Sequence, residues 1–195
     1  MLTNGLRRKM IPFPNKKYQI IYADCPWDYN DKGCNGTMAN HYKGMKLKDI
    51  CELPVKNISD RDCALFFWST YPFLQEALQV IESWGFKYKT IAFQWIKQNR
   101  KADTLFYGLG RWTRGNTEPC LLAVKGNPKR ISNNISQIIK THLTEHSQKP
   151  FIVRNRIVQL MGDLPRIELF ARPPKDLLFE DESYKGWDVW GNECI

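Results

Sequence analysis

Apolar runs of strand length alternate along this chain with segments of helical period, and that alternation restricts the fold more than any other feature. Residues 18–23, Tyr-Gln-Ile-Ile-Tyr-Ala, are rich in β-branched and aromatic side chains and read as a short strand. Similar runs follow at 64–68, 90–96, 119–124 and 166–171, with a short aromatic strand or turn at 186–191. Between them, Leu74, Ala77, Leu78 and Ile81 stand at i, i+3, i+4 and i+7, one face of a helix over 72–84 that Gly85 is placed to stop. Pro150 suits the first turn of a second helix, with Val153, Ile157, Leu160 and Met161 on its buried face and Gly162 at its end. The stretch 125–148 is long and polar, and its centre, 135–143, reads as weakly helical; so long a connection is either functional or mobile. The pattern predicts an α/β fold, a mostly parallel central sheet flanked by helices. In such sheets ligands bind beyond the carboxyl ends of the strands.

Length and composition narrow the function. The 195 residues suit one domain spanning 1–195, with a sizeable core and a basic leader at 1–17 in which Pro12 and Pro14 break regular structure. No apolar run approaches the ~18 residues of a membrane span, and the leader lacks the apolar stretch of a secretory signal. Six cysteines include no CxxC pair and form no ligand pattern with His41, His142 and His146, which argues against a structural zinc site. Reduced thiols in apolar runs, such as Cys63 and Cys120, point to an intracellular, reducing compartment. The net charge of +9 favours a polyanionic partner, and an aromatic share of 13% supplies faces for stacking on bases.

The first strand runs directly into Asp24-Cys25-Pro26-Trp27. Pro26 biases Cys25 toward an extended conformation and so presets the direction of its carbonyl. A carboxylate beside a fixed main-chain oxygen makes two acceptors aimed at one point, which suits the two hydrogens of an exocyclic amine such as that of adenine. Localising the amine's lone pair in this way makes a poor nucleophile more reactive. Trp27 offers a flat face for a base taken out of its stack. The same four residues equally describe a strand ending at a tight turn, with Asp24 bonded to nearby backbone and Trp27 packed in the core.

A second cluster lies at 97–116. Lys97, Arg100, Lys101, Arg111 and Arg114 flank Phe106, Tyr107 and Trp112, so cations for phosphates alternate with aromatics for bases. A solvated loop is the plainer alternative. Trp68, Trp84 and Trp95 read as core.

With these residues in view, the chain resembles the N6-adenine methyltransferases that include the catalytic subunit of the eukaryotic mRNA adenosine methyltransferase and compact bacterial and phage relatives. Their Asp-Pro-Pro-Trp signature is matched by residues 24–27, and further blocks match in order over roughly 18–193. These are Asn40-His-Tyr-Lys-Gly-Met45, Phe66-Phe-Trp-Ser-Thr70, Ser83-Trp-Gly-Phe86, Gln94-Trp-Ile-Lys97, residues 110–118 with 120–128, Ser147-Gln-Lys-Pro150, Ile167-Glu-Leu-Phe-Ala-Arg172 and Trp190-Gly-Asn-Glu193. The resemblance implies a Rossmann-like, S-adenosylmethionine-dependent enzyme with its catalytic motif ahead of the cofactor segments, and methyl transfer to adenine N6 in DNA, or alternatively in RNA. It implies that Asp24, Lys149, Glu168, Leu169, Phe170, Arg172, Asn192 and Glu193 contact the cofactor, and that Tyr42 sits near substrate or methyl donor. It also admits a homodimer, a related partner subunit, or a catalytically inactive nucleic-acid-binding subunit of the same fold. Cys25 departs from the family's first proline, Pro173-Pro174-Lys175 stands where a His-Asn pair is expected after the arginine, and Glu193 replaces a frequent glutamine. Cysteine nucleophilicity of the C5-cytosine methyltransferase kind would want proline before the cysteine; here the order is reversed.

Overall fold

The computed structural model describes residues 11–28, 44–110, 112–144, 148–171 and 182–191. Its seven strands are β1 (Tyr18–Ala23), β2 (Ser59–Trp68), β3 (Lys87–Gln98), β4 (Thr117–Lys125), β5 (Ile138–His142), β6 (Arg166–Leu169) and β7 (Trp187–Trp190). They form one sheet in the order β5-β3-β4-β2-β1-β6-β7. Strand β4 pairs antiparallel with both β2 and β3, and the other four pairings are parallel. The sheet is therefore mixed, with β4 alone reversed, and the expectation of a mostly parallel α/β sheet holds.

Alternate residues of the central strands feed two cores, as they must in a sheet covered on both faces. Ile21, Ala23, Leu65 and Phe67 pack on one face under α1 (Leu47–Cys51), α2 (Val55–Ile58) and α3 (Leu74–Ser83). Ile20, Tyr22, Ala64, Phe66 and Trp68 pack on the other under α4 (Ile152–Met161). The tryptophans Trp68, Trp84 and Trp95 are buried, as are Cys63 and Cys120.

Two sequence expectations need correction, and two short helices were not foreseen. The segment 135–143 is not helical: Ile138–His142 is an edge strand that pairs in parallel with Gln94–Gln98 of β3. Its β-branched residues satisfy the open edge of β3, and that ladder outweighs a weak local helical preference. On α3 the buried stripe is Ala77, Val80 and Ile81, continued by Trp84, whereas Leu74 and Leu78 lie at its exposed margin. The short helices α1 and α2, in a stretch with no clear periodicity, went unread. Both long helices stop at the expected glycines, Gly85 and Gly162, each with positive φ.

Candidate active site

Strand β1 ends at Ala23, in register with Phe67 of β2 and Leu169 of β6, so Asp24 emerges at the carboxyl edge of the parallel strands. Pro26, with its φ fixed by the ring, is the central residue of a three-residue turn in which the Trp27 N–H donates to the Cys25 carbonyl at 3.0 Å. That carbonyl keeps a second lone pair. The turn is then pinned from outside: the Met45 N–H donates to the Pro26 carbonyl at 2.7 Å, and the Asp28 N–H to the Met45 carbonyl at 3.1 Å.

The Asp24 side chain remains 25% exposed and receives the Lys149 ammonium at 2.9 Å. Lys149 reaches Glu118 Oε1 at 3.0 Å as well, while Lys97 closes on Glu118 Oε2 at 2.7 Å. Four charges from β1, β3, β4 and the lead-in to α4 thus form one chain, Lys97–Glu118–Lys149–Asp24, along the carboxyl edge. Burial alone would lower the pKa of Lys149, but the Asp24 and Glu118 carboxylates overcome it and hold the ammonium well above its ordinary range. Burial likewise would raise Glu118, but Lys149 and Lys97 hold its carboxyl below the ordinary value. Glu118 was not singled out by the sequence reading; lying between Thr117 and Pro119 at the start of a strand, it carried no local signal of its two partners.

The other expected site residues divide by environment. The Cys25 thiol is buried, and burial, with Asp24 and Cys51 nearby, pushes its pKa well above the ordinary value. It is a packed thiol, not a nucleophile. The Trp27 ring is only 6% exposed, stacked on Phe73 and edge-on to Phe67, where it buttresses the turn. Glu168 is buried in a two-pronged pair with Arg154, whose Nε lies 2.6 Å from Oε2 and Nη2 3.2 Å from Oε1. The Arg154 guanidinium also lies over the Tyr184 ring, 3.7 Å from its centroid. Leu169 is wholly buried, so a ligand contact from it would run through the main chain. Phe170 adopts φ 62°, a left-handed conformation costly for a bulky residue, as the chain leaves β6 beside Asp24's strand. Lys97 is drawn into the ion chain, whereas Arg100, Lys101, Trp112 and Arg114 are exposed. Tyr42, Arg111, Arg172, Asn192 and Glu193 lie outside the described residues.

Fold and site together define a Rossmann-like methyltransferase architecture, with a carboxylate and a main-chain oxygen presented where β1 ends. The chain belongs to the MT-A70 family, whose model matches residues 18–193. It is 36% identical to the type II methyltransferase M.MunI of a Mycoplasma species, over 97% of this chain and 83% of that protein. It is 27% identical to an N(6)-adenosine-methyltransferase MT-A70-like protein of Arabidopsis thaliana, over 90% of this chain. It is also 27% identical to the human N(6)-adenosine-methyltransferase catalytic subunit METTL3, over 80% of this chain. The chain spans about a quarter of the length of these plant and human relatives, 24% and 26%.

Proposed function

We propose that this protein transfers a methyl group from S-adenosylmethionine to the N6 amine of adenine in DNA, acting inside a bacterial or virus-infected cell. The observation that carries the reading is the part-exposed Asp24 carboxylate, held by Lys149 at 2.9 Å next to the Cys25 carbonyl at a strand's carboxyl end. The donor set fits the cofactor: the Lys149 ammonium, flanked by two carboxylates, is placed to meet a methionine carboxylate, and the turned main chain at Phe170 offers polar groups beside it. Bound S-adenosylmethionine supplies an electrophilic methyl group on sulfur. Asp24 and the Cys25 carbonyl accept the two amine hydrogens and draw the lone pair toward that methyl, and the displaced amine proton leaves to solvent. Fixed acceptors of this kind need no reorganisation as charge develops. Positioning supplies most of the remaining acceleration.

DNA is favoured by the likeness to M.MunI, which takes in 97% of this chain and 83% of that protein. Adenosine in RNA is the second reading, favoured by the adenosine-methyltransferase relatives, since the reacting amine is the same. The presence of Asp24, Pro26, Trp27 and Lys149 speaks against an inactive partner subunit. The test is incubation with methyl-labelled S-adenosylmethionine and matched DNA and RNA oligonucleotides, followed by nucleoside analysis. N6-methyldeoxyadenosine is the expected product. Label in the RNA arm alone would move the substrate to RNA, and no label, with no cofactor binding by calorimetry, would reduce the chain to a scaffold.

A further inference from the structure

The connection from β3 to β4 leaves and re-enters the sheet at the same carboxyl edge as Asp24, because β4 is the reversed strand. Following the ladder across, Ala23 is level with Phe67, Phe67 with Leu121, and Leu121 with Ile91. Strand β3 continues from Ile91 to Gln98, so it carries the connection roughly 20 Å beyond the level at which β1 stops, at ~3.3 Å per residue.

This connection is built, not loose. Phe106 N–H donates to the Lys97 carbonyl at 2.9 Å, and Lys97 N–H to the Asn116 carbonyl at 2.9 Å, tying both limbs to the end of β3. Higher up, Gly108 and Gly115 exchange hydrogen bonds of 2.9 and 3.2 Å and form an antiparallel bridge. Only glycine allows that clasp: a Cβ on Gly108 would meet the Gly115 carbonyl oxygen at 2.6 Å. Above the clasp stands a tip whose apolar side chains no described residue covers: Trp112 is 99% exposed, Leu109 88% and Tyr107 64%. Exposed Arg100, Lys101 and Arg114 flank it.

A solvent-facing Trp-Leu pair on a clasped ribbon calls for an apolar slot, and none is supplied among the described residues. Two or three side chains fall far short of the about 800 Å² per partner that a stable protein interface buries. Among the described residues of the connection, exposed Arg100, Lys101 and Arg114 outnumber the one exposed acid, Asp103, which lies beside His142 at 3.2 Å. The excess is positive, so two copies of this tip would repel, whereas a polyanion draws it in. The gap between adjacent base steps in a nucleic-acid duplex is apolar, flat and walled by phosphates. Taking an adenine out of its stack leaves a gap of this kind. Resting on the DNA reading above, we propose that the ribbon tip, Leu109 and Trp112, is a wedge that enters the duplex beside the target adenine and holds open the space it vacates, while Arg100, Lys101 and Arg114 grip the adjoining phosphates.

The experiment compares wild type with the Leu109→Ser/Trp112→Ser double variant on one unmethylated plasmid, supplied as duplex and as heat-denatured strands, with labelled methyl donor. Both side chains are exposed, so the variant should melt with the wild type. The ratio of duplex rate to denatured-strand rate is expected to fall at least tenfold in the variant. A second readout needs no turnover: closed-circular plasmid relaxed by a topoisomerase with the protein bound should retain supercoils with wild type, because insertion unwinds the duplex, and lose them with the variant. An unchanged rate ratio overturns the wedge while leaving methyl transfer standing. Where wild type labels duplex only, unwinding kept by the variant overturns it. A wild-type dimer that becomes monomeric in the variant, by light scattering, reassigns the tip to a subunit contact. Wild type that labels neither form of the plasmid removes the DNA reading and the wedge with it, and leaves methyl transfer to the RNA arm of the oligonucleotide assay.

Discussion

Asp24 serves two partners at once, the proposed amine and the Lys149 ammonium, and its replacement should separate these roles. Asp24→Ala is expected to lower methyl transfer by about 100-fold or more, the scale at which removal of one preorganised polar group acts. Lys149 keeps Glu118 as a partner at 3.0 Å, so the fold and cofactor binding should largely survive. Rate assays with calorimetry on the same variant check this, and a wild-type rate would refute the carboxylate's role. Trp27 presents the opposite case. The sequence offered both a base-stacking face and a packed core ring, and the contacts with Phe67 and Phe73 place it in the core. Trp27→Ala is therefore expected to cost about 3–5 kcal/mol of stability by denaturant unfolding. A variant that unfolds like wild type but uses substrate poorly would return the ring to the base.

Among elements, the contact between α4 and β6 shows most plainly where residue-by-residue reading fails. The apolar period of α4 correctly placed Val153, Ile157 and Met161 on its buried face, yet Arg154 lies in the same stripe, three residues before Ile157. A charged residue there goes unremarked because its justification, the Glu168 carboxylate on a strand 14 residues away, exists only after the helix has packed. Breaking a buried pair leaves one charge uncompensated, so Arg154→Met should destabilise the protein by about 3–5 kcal/mol. The Arg154→Met/Glu168→Leu double variant should recover most of that loss. A double variant as unstable as the sum of the two singles would show that the residues do not act as a pair. Strand β5 teaches the same lesson about the backbone: residues 138–142 carry little signal alone and take their conformation from the open edge of β3.

For the molecule as a whole, the charge chain along the carboxyl edge couples the site to stability. Glu118 is held below its ordinary value of 4.5 and Lys149 above its ordinary value of 10.5. A depressed carboxyl contributes stability above its unfolded pKa and loses it as pH falls through the folded value; a raised ammonium contributes below its unfolded pKa and loses it as pH rises through the folded value. Both contributions are present between 4.5 and 10.5. Glu118→Gln should therefore flatten the fall in Tm on the acid side of 4.5, and an unaltered acid limb would refute its part. The excess of +9 charges gives a further expectation. DNA affinity should fall steeply with salt, and neutralising Arg100, Lys101 and Arg114 together should flatten the plot of log K against log salt by roughly 0.9 per lost phosphate contact. A slope unchanged in that triple variant would place the phosphates elsewhere.

Local pattern alone determined the strand-and-helix alternation, the stops at Gly85 and Gly162, the turn at 24–27 and the basic, aromatic character of 97–116. Each of these depends on neighbours in sequence: side-chain period, proline's fixed φ, glycine's freedom, net charge. Tertiary structure decided the rest, because it concerns neighbours in space. The reversal of β4, the recruitment of 138–142 to an edge, the burial of Trp27, and the meeting of Lys149 with Asp24 and Glu118 across 125 and 31 residues have no counterpart in any short window of the chain. Buried charges are tolerated only beside their partners, and folding alone brings those partners together.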